Sequence, residues 1–384
     1  MRTSMTILCG VLVGLLTLAA PDVWSQDDVS PRKTNASDTG DKAAPTPSEV
    51  TPAASAGLEA REEGETVTLG GRKVTIRKLD ILPYVENACT KVFTWEKSDL
   101  PELKELREKY KLDEVVAPGK TEFEKQVLLM DWVFRQWKFG HARELVALRD
   151  PAKILEEAQK GHKFQCMHSE VVLRALMGSM GWVARPMGKP KHSYNEVWSN
   201  QFRKWVRMDA TSNSYAVRGE IPLSTYELRM ALMKNDLDGV VGVTKGERKP
   251  VVVKFASRWK RISFYMNDVY GKRPGGKVFT VVDEFSDGAY HNWPHPENPM
   301  DLYFPINQAA LTLLPDGQNV KVSIRTLTPN FDRFQVRIDG KDWADSKEAF
   351  TWAPHEGENR LEARSINKLG VAGPVSGVML TVGK

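Results

Sequence analysis

Cysteine is scarce in this sequence: the 384 residues include three, and one of them, Cys9, lies in an apolar N-terminal segment. The other two, Cys89 and Cys166, are too few for a disulfide framework, although a single bond between them is an alternative for both residues. The chain has neither a CxxC pair nor an HExxH motif, so the usual zinc-binding patterns are absent. We therefore expect no metal ion and no other cofactor.

Long hydrophobic runs are lacking as well. The apolar segment at residues 5–20 follows Arg2 and is too short to span a bilayer comfortably. Its length is typical of a secretory signal, and Val23 and Ser25 are the small residues expected before a cleavage site. We predict a signal peptide over residues 1–25 and a secreted or periplasmic protein with no membrane contact after cleavage. An uncleaved anchor is the alternative.

Concentrated charge of one sign is also missing. The net charge is +5, and Lys and Arg are mixed with Asp and Glu along the chain. Proteins that bind nucleic acid usually carry a basic stripe with interleaved aromatic residues, and this sequence has none. We therefore expect no nucleic-acid partner.

The composition divides the chain into segments. Residues 26–62 are rich in Ser, Thr, Ala, Pro and Asp with almost no large apolar side chains, which predicts a disordered linker. The remaining chain is long enough for about two domains, and 11 Trp and 14 Phe supply large side chains for hydrophobic cores. The pattern changes near residue 300, so we predict domains over residues 63–299 and 300–384.

Two of the helices predicted in the first of these domains bear on the candidate site. Thr121 and Glu124 form a capping-box pattern at the start of a helix over residues 121–138. A second helix begins near Cys166, because the following residues place apolar side chains on one helical face and Gly181 is a natural stop. Cys166 therefore lies in the first turn of a buried helix, whose partial positive charge favours the thiolate.

A predicted hairpin follows this helix. Its strands are residues 192–198 and 203–209, joined by a turn centred on Asn200 and Gln201. This register places His192 directly opposite Asp209, where cross-strand side chains on one face lie about 5 Å apart. An imidazole and a carboxylate could hydrogen-bond at that distance. A slip of one residue would break the pairing.

These residue types support nucleophilic chemistry. A cysteine attacks a carbonyl as the thiolate, so Cys166 needs a base within reach. His192 is the candidate base and, later, the acid that protonates a leaving amine, while Asp209 would orient the imidazole. The Cys166 N–H at the helix start could stabilise an oxyanion, with either Gln165 or Trp137 as a second donor.

Each residue alone is weak support for catalysis. A lone cysteine at a helix start is more often a small buried hydrophobic residue, and a lone histidine on a strand is usually structural. Two other histidines are rival bases. His168 is expected to point nearly away from Cys166 on the helix, whereas His162 in the preceding loop is not excluded by geometry. The order of the elements, a helix-start cysteine followed by a histidine and aspartate hairpin, favours His192.

The same segments resemble the bacterial transglutaminase-like superfamily. The matching motifs are the cysteine helix, Gly181-Trp-Val-Ala-Arg185, His192-Ser-Tyr-Asn-Glu-Val-Trp198 and Trp205-Val-Arg-Met-Asp209, in the family order. The resemblance covers about residues 85–215. It implies an α+β, papain-like core in which a cysteine-bearing helix packs on an antiparallel sheet, with Cys166, His192 and Asp209 as the catalytic residues.

Two departures from the family narrow the expected activity. Met167 follows the cysteine where cross-linking animal transglutaminases usually carry Trp, and the zinc cysteines of peptide N-glycanases are missing. We therefore expect an exported cysteine hydrolase or acyl transferase, acting on peptide or isopeptide-like amides of a protein or peptide substrate through a Cys166 thioester. The alternative is a non-catalytic exported scaffold or binding protein with an inert core.

The C-terminal region has a different pattern. Short alternating segments separated by turn signals, such as residues 320–324, 334–338 and 349–352, are typical of an all-β sandwich. The region resembles the immunoglobulin-like or fibronectin-like modules of bacterial exported enzymes. A spacer role is the simplest interpretation, and Trp343 and Trp352 are candidates for contact with carbohydrate or another protein.

Overall fold

The computed structural model describes residues 57–251, 256–267, 275–286, 288 and 292–384. The predicted signal peptide and residues 26–56 of the predicted linker lie outside this range. Residues 57–62, the end of that linker, belong to the folded chain. Leu58 is buried, and the Glu59 carboxylate accepts a hydrogen bond of 2.7 Å from the Leu313 N–H. These two contacts attach the segment to the C-terminal part of the chain.

Most of the α-helices lie in the first half of the chain. The described residues form α1 (Pro101–Lys109), α2 (Leu112–Val116), α3 (Glu122–Arg135), α4 (Pro151–Gln159), α5 (Cys166–Ser179) and α6 (Thr225–Met233). Short 3-10 turns are Leu58–Ala60, Thr90–Val92, Arg143–Leu145, Ala256–Trp259 and Pro299–Tyr303. No helix among the described residues is long and apolar enough to cross a membrane.

The strands form four antiparallel sheets in the described residues. In chain order they are β1 (Thr66–Leu69), β2 (Arg72–Asp80), β3 (Ala184–Lys189), β4 (His192–Ser199), β5 (Lys204–Met208), β6 (Ser214–Arg218), β7 (Ile221–Pro222), β8 (Val240–Thr244), β9 (Glu247–Pro250), β10 (Ser263–Asn267), β11 (Gly275–Thr280), β12 (Ala310–Asp316), β13 (Asn319–Arg325), β14 (Phe331–Ile338), β15 (Ala344–Ser346), β16 (Ala349–Trp352), β17 (Gly357–Asn367) and β18 (Ser376–Val382). The expected α+β class with antiparallel sheets is therefore confirmed.

The sheet that carries the candidate site has the order β11-β10-β3-β4-β5. Alternate residues of its strands point to opposite faces. On one face, Ala184, Val197 and Met208 share a hydrophobic cluster with α5 and the other N-terminal helices. On the other face, Tyr194 and Trp198 belong to a second cluster that includes Trp205, Phe264 and Phe304. Both faces are thus buried.

The N-terminal hairpin joins the C-terminal part of the chain. A six-stranded sheet has the order β1-β2-β18-β17-β14-β15, and a three-stranded sheet has the order β12-β13-β16. Buried residues of both sheets form one hydrophobic cluster. The division into domains at residues 63–299 and 300–384 stays a prediction. Hairpin β1–β2, which this division assigns to the first domain, lies in the same sheet as the last strand, β18.

Local signals explain where the best-predicted helices begin. The Thr121 hydroxyl accepts a hydrogen bond from the Glu124 N–H, and the Glu124 carboxylate accepts one from the Thr121 N–H. This capping box is the one that the sequence predicts, and it satisfies two of the N–H groups that a helix start leaves unpaired. The helix ends at Arg135, three residues before the predicted end.

The register of the β4–β5 hairpin differs from the prediction. Trp198 pairs with Trp205, and Ser199 pairs with Lys204, so the connection is four residues long instead of two. Arg203 in this connection has a positive φ of 55°. The register is therefore displaced by two residues. Because side chains alternate with a period of two, the displacement keeps His192 and Asp209 on one face and moves them from opposite to diagonal positions.

A buried ion pair joins two of the sequence motifs. Arg185 on β3 and Glu196 on β4 are directly paired in the sheet, and Arg185 Nη2 lies 2.6 Å from Glu196 Oε2. Both side chains are fully buried. The second carboxylate oxygen of Glu196 accepts hydrogen bonds from the Thr225 N–H and the Tyr303 hydroxyl. Glu196 therefore connects the sheet to the start of α6 and to the Pro299–Tyr303 turn.

We expect Glu196→Gln to lower the free energy of unfolding by about 3 kcal/mol, because it leaves the buried Arg185 charge without a partner. Asp236→Asn is the matched control, since it neutralises the carboxylate of the exposed Arg218–Asp236 pair and should change stability by about 0.5 kcal/mol or less. Urea unfolding of the two variants measures the difference. Equal stabilities would show that the buried pair does not hold this sheet together.

Candidate active site

Cys166 is the first residue of α5, with Gln165 as the N-cap. The helix begins here because the Gln165 N–H donates to Nδ1 of His168, three residues later, and so closes the first turn with a side-chain acceptor. The first N–H groups of any helix have no partner within it, and their partial positive charge is directed at the thiol. Cys166 is buried, with 8% of its surface exposed.

The thiol of Cys166 is hydrogen-bonded to the His192 imidazole, and the backbone N–H of Ser193 also donates to the sulfur. Burial alone would raise the pKa of Cys166. The hydrogen bond and positive charge of His192, together with the Ser193 N–H, outweigh burial, so the pKa of the thiol lies below its usual value. These contacts all stabilise the thiolate relative to the thiol.

His192 is bound on its other side by Asp209. His192 Nε2 lies 2.6 Å from Asp209 Oδ2, which leaves Nδ1 as the ring nitrogen that faces Cys166. Burial lowers the pKa of His192, but the charge and hydrogen bond of Asp209, with a smaller contribution from Cys166, raise it to about 9. The structure thus brings the three predicted residues into one hydrogen-bonded chain.

Asp209 is itself buried and has further partners. Burial would raise the pKa of this carboxyl, but the charge and hydrogen bond of His192 and the charges of Arg207 and Lys189 hold the pKa well below its usual range. Arg207 Nη2 lies 2.7 Å from Oδ2, and the Thr211 N–H donates to Oδ1 at 3.1 Å. Asp209 is therefore ionised and fixed in position.

The rival histidines have other partners. His168 is almost fully buried, with Nδ1 accepting from Gln165 and Nε2 facing the Leu145 carbonyl. Burial lowers the pKa of His168 to about 4, so this ring is neutral. His162 binds Glu157 through Nδ1 at 2.8 Å. Both rings have structural contacts at the ends of helices.

The alternative of a disulfide between Cys89 and Cys166 is wrong, because both thiols are free in the structure. Cys89 is buried in the aromatic cluster on the opposite face of the sheet from α5. Burial, followed by the charge of Asp301, raises the pKa of Cys89 to about 11.

The candidate oxyanion donors lie beside the helix start. The Gly140 N–H donates to the Phe164 carbonyl at 3.1 Å, which fixes the loop after α3 next to Cys166. The side-chain amide of Gln165 contacts Nδ1 of His141 in this loop, so one of its donors is already engaged. Trp137 packs edge-on against Phe164, with ring centroids 5.5 Å apart.

A cleft of about 530 Å³ lies between this loop, α5 and the chain after Asp209. It is lined by Phe134, Arg135, Gln136, Trp137, Lys138, Phe139, Ser169, Ala210 and Thr211. Ser169 lies one helical turn after Cys166, on the same side of α5. Ala210 and Thr211 follow Asp209 directly. The cleft therefore adjoins the Cys166–His192–Asp209 cluster.

Sequence reasoning missed two residues of this cluster. Arg207 lies two positions before Asp209 on a strand, so both face the same way, and Lys189 is paired with His192 in the β3–β4 ladder. Strand periodicity could have indicated Arg207. Lys189 could not be placed in this way, because its alignment with His192 depends on the β3–β4 turn.

No group of three or more His, Cys, Asp or Glu side chains in the described part of the chain is arranged to bind a metal ion.

Comparison with protein-family models, curated proteins and solved structures finds no match to this chain. Any functional inference therefore depends on the geometry of Cys166, His192 and Asp209 and on the motifs that contain them.

Proposed function

We propose that this protein is an exported cysteine hydrolase or acyl transferase that cleaves peptide or isopeptide-like amide bonds through a thioester on Cys166. The observation that carries the proposal is the hydrogen-bonded chain from Cys166 through His192 to Asp209 at the start of α5. It contains a nucleophile, an acid and base, and an orienting carboxylate in one connected cluster.

In the first step, the Cys166 thiolate attacks the amide carbonyl carbon and a C–S bond forms. The carbonyl oxygen becomes an oxyanion, which the Cys166 N–H at the helix start is placed to stabilise. His192 then donates its proton to the amide nitrogen, the C–N bond breaks and the amine leaves. The acyl group remains on sulfur as a thioester.

In the second step, neutral His192 takes a proton from water or from an acceptor amine, whose oxygen or nitrogen attacks the thioester. The C–S bond breaks and the thiolate and imidazolium are restored. Asp209 does not transfer a proton. It keeps Nδ1 of His192 directed at the sulfur and stabilises the imidazolium in each resting state.

The family resemblance supports the same function. We infer a transglutaminase-like core over residues 63–299 and an immunoglobulin-like domain over residues 300–384, with hairpin β1–β2 contributed to the sheet of the second domain. The apolar segment at residues 5–20 supports export, and the substrate would be a protein or peptide outside the cytoplasm. Contact of the second domain with carbohydrate or protein is a further part of this proposal. Trp343 is partly exposed and stays a candidate for it, whereas the expectation for Trp352 is wrong, because that side chain is buried in the hydrophobic cluster.

Acyl-enzyme formation is the direct test. The protein is incubated with a mixture of peptides and with γ-glutamyl-ε-lysine isopeptides, quenched in acid and weighed by intact mass spectrometry. We expect an acyl adduct on Cys166 that hydroxylamine removes, and no adduct or product with Cys166→Ala, whose circular dichroism should match the parent. Turnover by the Cys166→Ala variant would contradict the proposal.

We also expect Cys166 to react with iodoacetamide at pH 6 faster than an ordinary thiol does, because its pKa lies below the usual value. Loss of the imidazolium in His192→Ala should raise that pKa and slow alkylation at pH 6 by about tenfold for each unit of the rise. His162→Ala is the matched control and should leave the rate unchanged. The measurement is alkylation rate against pH by intact mass.

Cys89 is an internal reference in this experiment, because burial raises its pKa to about 11 and its alkylation should be slow in every variant. A Cys166 rate that rises only near the ordinary thiol pKa would mean that no charged Cys–His pair exists. The scaffold or binding function would then be preferred.

Asp209→Asn should lower the pKa of His192, because the charge and hydrogen bond of Asp209 raise that pKa to about 9 against the effect of burial. At pH 8 the imidazole should be protonated in the parent and neutral in the variant, as measured by NMR of the histidine side chain. Asp236→Asn, which removes a distant carboxylate paired with Arg218, should change nothing. An unchanged His192 titration in Asp209→Asn would exclude Asp209 from this role.

A further inference from the structure

Two cations lie beside His192 on the same face of the sheet. Lys189 on β3 is paired with His192 on β4, so their side chains share a face and their Cβ atoms are about 5 Å apart. Arg207 on β5 binds Asp209 at 2.7 Å. Tyr194 lies between the strands that carry these residues and stacks on His192, with ring centroids 5.7 Å apart.

Aromatic rings hold these cations in place. Lys189 Nζ lies 3.7 Å from the centroid of the Trp259 ring and 6.0 Å from that of Tyr194. The Arg207 guanidinium is 5.8 Å and 4.8 Å from the same two rings. Cation–π contacts stabilise a charge without neutralising it. Two like charges are thus held next to each other between Tyr194 and Trp259.

Local carboxylates do not balance these charges. Lys189, Arg207 and the His192 imidazolium lie around the single carboxylate of Asp209. Asp209 is already shared between His192 and Arg207 through the same oxygen. Within the described residues, no carboxylate lies within ion-pair distance of Lys189 Nζ.

A buried donor on Arg207 also lacks an acceptor. Arg207 is 7% exposed, and its Nε–H has no hydrogen-bond acceptor among the residues that the structure describes. A buried donor without an acceptor costs stability, and most such groups in proteins are paired. Lys189 and His192, unlike Arg207, are both partly exposed, so this side of the cluster borders solvent.

We propose that Lys189 and Arg207 form a carboxylate-binding subsite next to Cys166, His192 and Asp209, and that the substrate carries a free carboxylate close to the scissile amide. This inference rests on the proposed function for its substrate class. The carboxylate would accept hydrogen bonds from Lys189 Nζ and Arg207 Nε. Both are N–H donors on positively charged side chains, so they match a carboxylate in charge and in hydrogen bonding. Its negative charge would balance the excess of cations around Asp209.

The subsite distinguishes two groups of amide substrates. An amide with a nearby C-terminal carboxylate, or with an acidic side chain next to the cleaved bond, would gain both contacts. The same compound with a neutral carboxamide would leave the Lys189 and Arg207 charges without an anion. A charge-assisted hydrogen bond that is lost in this way corresponds to a difference of about tenfold or more in affinity.

The test measures binding without turnover, using the full chain with Cys166→Ala. The ligands are N-acetylglycine, an amide with a free carboxylate, and N-acetylglycinamide, its neutral analogue, each titrated at pH 6 and followed by saturation-transfer NMR. We expect the acid to bind about tenfold more tightly than the amide. Adding Lys189→Met, which keeps an unbranched apolar chain against Trp259, should remove this preference.

Two further variants make the result specific. Lys189→Arg keeps the charge and should keep the acid preference. Lys191→Met removes an exposed lysine from the same turn and should also keep the preference.

The acid preference should depend on pH. Burial and the nearby cations lower the pKa of Lys189 to about 7, so the preference should weaken from pH 6 to pH 8 as the ammonium loses its proton. This pH dependence should be absent in Lys189→Arg, because a guanidinium at position 189 keeps its charge over this pH range.

Equal binding of the acid and the amide, no binding of either, or an acid preference that survives Lys189→Met would each overturn the subsite. So would a pH dependence that persists in Lys189→Arg, since it would then arise from His192. Because these measurements do not use Cys166, they fail independently of the proposed function. An ordinary alkylation rate at Cys166 contradicts the enzyme, whereas a missing acid preference contradicts only the subsite.

Discussion

The ionised, buried carboxylate of Asp209 is the interaction on which the candidate site depends. A buried carboxylate without partners would take up a proton, because desolvation disfavours the charged form. Here His192, Arg207 and the Thr211 N–H satisfy it from three directions. The ionised carboxylate in turn keeps His192 protonated, and the imidazolium favours the Cys166 thiolate. Asp209 therefore favours the thiolate only through His192, because the charge of Asp209 itself raises the pKa of Cys166.

A comparison of the two free cysteines shows that the lowered thiol pKa is specific to Cys166. Both are buried, and burial is the largest influence on the pKa of each. For Cys89 burial prevails and the pKa rises to about 11, whereas for Cys166 it is outweighed and the pKa falls below its usual value. The difference comes from His192 and the Ser193 N–H, which Cys89 lacks as partners. A position at a helix start is thus not sufficient to lower the pKa of a buried thiol. The β4–β5 hairpin supplies the additional hydrogen bonds and charge, through His192 and the Ser193 N–H.

Local sequence signals indicate where helices begin, because capping residues and apolar periodicity act within a few residues. The Thr121–Glu124 capping box and the start of α5 at Cys166 are examples. The hairpin register was predicted with an error of two residues, since the conformation of a turn such as that around Arg203 depends on more than residue preferences. The error kept the correct face because strand side chains alternate, so the pairing of His192 with Asp209 was still found.

Contacts between distant parts of the chain could not be predicted in this way. The pairing of β2 with β18 joins segments about 300 residues apart, and no local pattern marks it. The same limit applies to Trp259, which covers Lys189 and Arg207 from a turn far along the chain. A sequence can indicate that a residue lies on a strand face, but not which later segment packs over it.

One face of the β3–β4–β5 sheet carries a structural ion pair at one end and the candidate site at the other. Both sets of side chains point the same way because they are separated by even numbers of residues along each strand. Arg185, Glu196 and Trp205 occupy it at one end, where the ion pair is fully buried and the arginine lies 4.2 Å from the Trp205 ring centroid. At the other end, two pairs further along, are Lys189 and His192. In the first case a buried arginine has a matched carboxylate and several acceptors, so its role is structural. At the second end the cations outnumber the carboxylates and solvent has access, which is the arrangement expected where the missing charge comes from a ligand.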